Sequence, residues 1–101
     1  MNASFAMRIA AAPDVMFRTV GDESVLLHLQ SETYLGLDPV GTRMWTVLTA
    51  APSIQDAFEK LLSEYEVDDQ QLRRDLDDFV GQLVQHDLVL LHPEESHVAG
   101  D

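Results

Sequence analysis

Few side chains in this sequence do chemistry, and their spacing narrows what that chemistry can be. Asp68, Asp69, Asp75, Asp77, Asp78, Glu64 and Glu66 crowd one segment. Paired carboxylates perform general acid–base catalysis when a cleft holds them at a set separation. A chain of 101 residues leaves little room for such a cleft. The simpler reading is a solvated acidic face, with favourable negative charge at a helix N-terminus, and such a face also suits a basic partner. The histidines His28, His86, His92 and His97 include no pair at i, i+4, the spacing that binds metal from one helical face. There is no cysteine, which removes thiolate zinc sites and disulfides. No glycine lies in a phosphate- or dinucleotide-binding loop, and no serine in a Gly-x-Ser-x-Gly elbow. The expectation is a binding module, not an enzyme, with no metal and no cofactor.

Charge sets the class of partner. With 18 acidic residues against 6 basic ones, the formal net charge is −12. Proteins that bind nucleic acid neutralise phosphates with Lys and Arg, and anionic membrane surfaces attract the same residues. The field here has the wrong sign for both, and it favours basic partners and solubility. No run approaches the ~20 apolar residues that span a bilayer. The opening stretch, with Ala10-Ala11-Ala12 before Pro13, is apolar, but its lone Arg8 sits inside the apolar part rather than ahead of it. That is the wrong order for a secretory signal, so residues 1–14 read as a loose or docking arm. The lack of cysteine suits the cytoplasm.

The elements that must position any site are legible from pattern. Residues 16–20 read as a first strand, with Gly21-Asp22 as its turn. Val25, Leu27 and Leu29 alternate with Ser24, His28 and Gln30, broken by Leu26, and predict a half-buried second strand with His28 on its polar face. After a turn at Ser31-Glu32, Thr33-Tyr34-Leu35-Gly36-Leu37 reads as a third strand, whose glycine lets another backbone come close. Asp38-Pro39 opens a helix, Asp as cap and Pro at its first position. Its inner stripe is Val40, Met44, Val47 and Leu48, with Trp45 beside it. Ser53 caps a second helix carrying Ile54, Ala57, Phe58, Leu61, Leu62 and Tyr65. Asp68 or Asp69 caps a third, striped by Leu72, Leu76, Phe79, Val80, Leu83 and Val84. His86-Asp87 ends it, residues 88–91 form a short last strand, and a polar, loose tail follows. The expected class is α+β: a winged helix-turn-helix, with a three-stranded antiparallel sheet, three helices and a short C-terminal strand. Helices two and three should form the turn pair.

The segment Thr33 to Leu37 differs in kind from the apolar stripes. It is expected at a sheet edge, and neither Lys nor Pro blunts it. Such an edge offers unpaired N–H and C=O groups to an added strand. The plain alternative is coverage by the N-terminal arm.

The run from Thr33 through Tyr34-Leu35-Gly36-Leu37-Asp38-Pro39-Val40-Gly41-Thr42-Arg43-Met44 to Trp45 is similar to a signature of Tyr, Leu and Asn followed by Gly, an aliphatic residue and Trp. Ser53 to Val67 resembles the middle helix of the same family, and Arg74-Asp75-Leu76, Phe79, Leu83 and Leu88 resemble its third helix and terminal Gly-Leu. The chain thus resembles the precursor-peptide recognition elements, the coenzyme PQQ biosynthesis protein D-like family, over about residues 15–91. Two departures stand out. Asp38 replaces the frequent Asn and preserves capping. Asp87 replaces a Gly at the end of the third helix, where Asp can still adopt a left-handed conformation at some cost.

The resemblance implies a function. Such domains bind the leader segment of a ribosomally made precursor peptide and present it to modifying enzymes. The leader adds as an antiparallel strand to the third strand, in a groove shared with the third helix. Carried over to this sequence, Thr33, Tyr34, Leu35, Gly36 and Leu37 form the docking strand, and Leu72, Asp75, Leu76 and Phe79 are the third-helix contacts. Leu35 and Leu37 could instead point into the core, and Asp75 either pairs with a basic leader residue or caps a local network. The signature looks closest to free-standing proteins of lasso-peptide pathways, whose partner is a leader peptidase. A peptide chaperone serving a radical enzyme, as in pyrroloquinoline quinone synthesis, is the alternative. A winged-helix DNA reader would need more than Arg73 and Arg74 on its third helix. An open edge permits a monomer or a strand-swapped dimer. The domain is expected over residues 15–91 and the flexible tail over 92–101.

Overall fold

A computed structural model describes residues 5–93. Its elements run β1 (Arg8–Ala11), β2 (Val15–Val20), β3 (Glu23–His28), β4 (Thr33–Leu37), α1 (Pro39–Ala50), α2 (Ile54–Glu64), α3 (Asp69–Gln85) and β5 (Val89–His92). β2, β3 and β4 form an antiparallel sheet in that order, and β1 pairs antiparallel with β5 in a second, two-stranded sheet. The expected sheet, helices and terminal strand are all present, and the class is α+β. The second sheet was not expected.

Local chemistry accounts for the helix ends. Asp38 caps α1 by accepting the Gly41 N–H at 2.7 Å, and Pro39 follows in the first turn, where its missing N–H costs nothing. Ser53 caps α2 through the Asp56 N–H at 3.1 Å. Asp68 caps α3 through the Gln71 N–H at 3.2 Å. Asp87 takes φ 59°, the left-handed state that Gly adopts more cheaply. The Leu88 N–H then donates to the Leu83 carbonyl at 2.9 Å, and the Asp87 N–H to Val84 at 3.0 Å. These two bonds close the helix in a Schellman motif.

The core joins one face of the three-stranded sheet to the three helices. Leu26, Leu48, Ile54, Leu61, Leu76, Leu83 and Ile9 are fully buried at its centre. α2 packs against both α1 and α3, as expected for the turn pair. The inward face of β3 differs from the expectation. Ser24 and Leu26 are buried, whereas Val25 and Leu27 are half-exposed and Leu29 is 52% exposed. Alternation then puts His28 on the inward side, at the open end of the sheet, where its Nδ1 accepts the Ser31 N–H. Apolar residues on both faces of β3 left the sequence pattern ambiguous. The decision fell to Ser24, which is satisfied inside by a 2.8 Å hydroxyl–hydroxyl bond to Thr42 on α1. A strand's inward set changes as a block because its period is two.

The stretch read as an arm is docked from residue 5 onward. β1 lies beside β5, with Arg8 opposite His92 and Ala11 opposite Val89. The Ile54 and Gln55 N–H groups, which open α2, donate to the Met7 and Phe5 carbonyls at 2.7 and 2.8 Å. The Arg73 guanidinium caps the Phe5 and Phe58 rings, 4.9 and 4.5 Å from their centroids. His97 and the tail beyond residue 93 lie outside the described residues.

Candidate functional site

β4 ends the sheet order β2-β3-β4, so among the described residues its second edge meets no strand. On the paired side the register is Thr33 opposite His28, Leu35 opposite Leu26 and Leu37 opposite Ser24. On the other side, among the described residues, no backbone donor or acceptor pairs with 33–37. Among the described residues, the sole polar contact to this backbone from outside the sheet is the Thr42 hydroxyl, which donates to the Leu37 carbonyl at 3.4 Å. The part of the arm that forms β1 pairs with β5 instead.

Beside the free edge runs a groove of about 710 Å³, walled by the end of β4, the start of α1 and one face of α3. Leu37, Met44 and Phe79 supply its apolar floor, and Asp38, Asp75 and Asp78 its polar rim. α1 is held in place under β4 by the Asp38 cap and the Ser24–Thr42 bond. Gly41 must be small there, because a Cβ would come within 3.3 Å of the Asp38 Oδ1 and 3.4 Å of the Leu37 Cβ. At Gly36 a Cβ would meet nothing within 4 Å. The close approach expected at that glycine has no occupant among the described residues.

The candidate residues fall into three sets. Gly36, Leu37, Asp75 and Phe79 border the groove together. Thr33, Tyr34 and Leu35 lie along the same strand but do not line it; Leu35 leans on the core, and Tyr34 is 72% exposed on the opposite face. Leu72 and Leu76 are core, 4% and 0% exposed, and reach the groove only by fixing α3 behind Phe79. The sequence reading did not include Val40, Met44, Asp78 and Gln82, which also wall the groove. Asp75, Asp78 and Gln82 follow at the three- and four-residue helical spacing from one face, so that signal was available. Val40 was read as core, yet it is 46% exposed. The first turn of α1 projects past the sheet, where its outer residue meets the groove instead of the interior.

Asp75 also accepts a bond from the Gln71 side-chain amide at 2.9 Å. Asp78 makes no hydrogen bond or ion pair among the described residues. No group of three or more His, Asp or Glu is placed to hold a metal ion among the described residues. No helix there is long and apolar enough to cross a membrane.

Comparison with solved structures places this geometry among known proteins. The structure is similar to that of TbiB1 in complex with the TbiA(beta) leader peptide, with 35% identity, a TM-score of 0.72 and coverage of 89% of this chain and 99% of that one. It is similar also to lasso peptide synthetase B1 complexed with the leader peptide, with 25% identity, a TM-score of 0.72 and coverage of 82% and 98%. No curated protein matches the sequence. Residues 23–89 match the family of coenzyme PQQ synthesis protein D. This span holds β3, the free strand β4, all three helices and the start of β5, and it identifies the chain as a member of the coenzyme PQQ synthesis protein D family.

Proposed function

We propose that this chain binds the leader segment of a ribosomally made precursor peptide as an added antiparallel strand on the free edge of β4. The observation that carries this reading is the outer edge of β4, which has no backbone partner among the described residues and lies beside a groove bordered by α3. Strand addition uses those groups directly: main-chain hydrogen bonds supply affinity and register, and pockets for alternate side chains supply specificity. Thr33 to Leu37 act as the docking strand. Asp75 and Phe79 contact the guest, with Leu72 and Leu76 holding α3 from behind. The bound leader is presented to a modifying enzyme. The similarity to leader-bound lasso peptide synthetase B1 structures favours a leader peptidase in lasso-peptide maturation. The family match favours, as the second reading, a chaperone for a radical enzyme of quinone-cofactor synthesis.

The reading is checked by titrating isotope-labelled protein with synthetic leader segments of short precursor frames sought by reading the neighbouring genes. Amide shifts should concentrate at 33–37 and along the groove face of α3. Saturable binding that leaves those amides unmoved would remove strand addition from consideration. Mixing the complex with the neighbouring peptidase or radical enzyme then separates the two partner readings by which one cleaves or modifies the bound precursor.

A further inference from the structure

We infer that the guest segment seated in the groove is cationic and amphipathic, with Lys or Arg side chains directed at Asp38, Asp75 and Asp78 and apolar side chains laid on Leu37, Met44 and Phe79. This rests on the proposed leader-binding reading and specifies the peptide chemistry that site accepts. All charged residues lining the groove are carboxylates, namely Asp38, Asp75 and Asp78. None of the basic side chains borders it. Arg43 and Lys60 engage Glu64, Arg73 lies over Phe5 and Phe58, Arg18 sits on β2, the far strand of the sheet, and Arg8 is on β1. Arg74 is exposed on α3 outside the groove lining.

The rim carboxylates are available to a guest. Asp78 has no partner among the described residues. Asp75 spends Oδ1 on the Gln71 amide, and Asp38 spends Oδ1 on its cap, yet a carboxylate accepts at both oxygens. The rim is close to an apolar floor in which Met44 and Phe79 are 6% and 9% exposed. Lys and Arg suit this layout, since their methylene stems cover apolar surface while the charged head reaches outward. An acidic guest would meet carboxylates on both walls with no cation to offset them, which selects against it.

The test is selection from a random peptide display library against the intact chain, the Asp38→Asn/Asp75→Asn/Asp78→Asn variant and a control carrying Asp22→Asn, Glu59→Gln and Glu66→Gln, which removes as much charge away from the groove. Asn keeps the α1 cap, and Asp75 and Asp78 are exposed, so the groove variant folds. Peptides won by the wild type should be enriched in Lys or Arg at a constant offset from apolar residues. They should bind the groove variant roughly tenfold more weakly, as three partly exposed ion pairs imply, and the control within about twofold. Selected peptides that shift the 33–37 amides without Lys or Arg enrichment overturn this inference and leave strand addition standing. Equal weakening in the groove variant and the control also overturns it, because the net charge alone would then account for the preference. Absence of any binder, or binders that leave the 33–37 amides unmoved, defeats the leader-binding reading itself.

Discussion

Asp87 shows how one residue's conformational demand propagates outward. The chain must reverse after α3 so that β5 can lie beside β1, and that reversal puts Asp87 at φ 59°. A left-handed L-residue costs free energy that glycine avoids. Asp87→Gly should therefore stabilise the protein by about 0.5–1 kcal/mol, read as an increased urea midpoint without loss of peptide binding. Asp38 has two duties, capping α1 and lining the groove. Asp38→Ala should cost about 1 kcal/mol of stability, whereas Asp38→Asn should cost little because Asn caps as well. A third residue-scale effect lies at the Arg43–Glu64 pair, joined by a 2.9 Å Nε–Oε1 bond and a second from Nη2. The Arg43 bond holds the Glu64 carboxyl below its ordinary value of 4.5, against a smaller opposing pull from desolvation. A folded-state value below the unfolded one means the pair favours folding when Glu64 is ionised. Its contribution is complete above about pH 4.5 and is lost as the pH falls through the lower folded value. Glu64→Gln should lower the urea midpoint slightly near neutrality and converge with wild type in acid. The difference should shrink in high salt, since the pair is exposed.

At the level of elements, the free edge of β4 carries the proposed docking and the inward face of β3 governs packing. Val40 is 46% exposed on the groove wall, so Val40→Trp should leave the fold intact while filling room a guest needs. Leader affinity should fall roughly tenfold, about 1.4 kcal/mol, with little change in melting temperature. Equal affinity for the Trp variant, measured by fluorescence anisotropy, would place the guest elsewhere. The bounds of β4 and the helix caps were readable because they depend on neighbours within a few residues: Tyr and Thr in a strand, Asp-Pro and Ser at helix starts. The orientation of β3 was not readable in that way. Val25, Leu26 and Leu27 are all apolar, and burial of Ser24 is tolerated only because Thr42, 18 residues further on, offers its hydroxyl.

For the molecule as a whole, the pairing of β1 with β5 joins residues near opposite ends of the chain. Ile9 of β1 is fully buried in the core, and Ile9→Ala should cost about 2–5 kcal/mol, read from urea unfolding. A cost under ~1 kcal/mol would show β1 to be a detachable strap. Ala-rich sequence carries little strand propensity, so nothing local announced this strand; its stability comes from its position beside β5 and against α1. Composition and spacing by themselves determined the acidic character, the order of the helices and of four strands, and the extent of the strand Thr33–Leu37, because those follow from charge and short-range periodicity. Which edge stays open, which face of β3 turns inward, and which carboxylates meet around one groove were decided only in the tertiary structure. Each depends on which distant backbone and side-chain groups satisfy one another once the core closes.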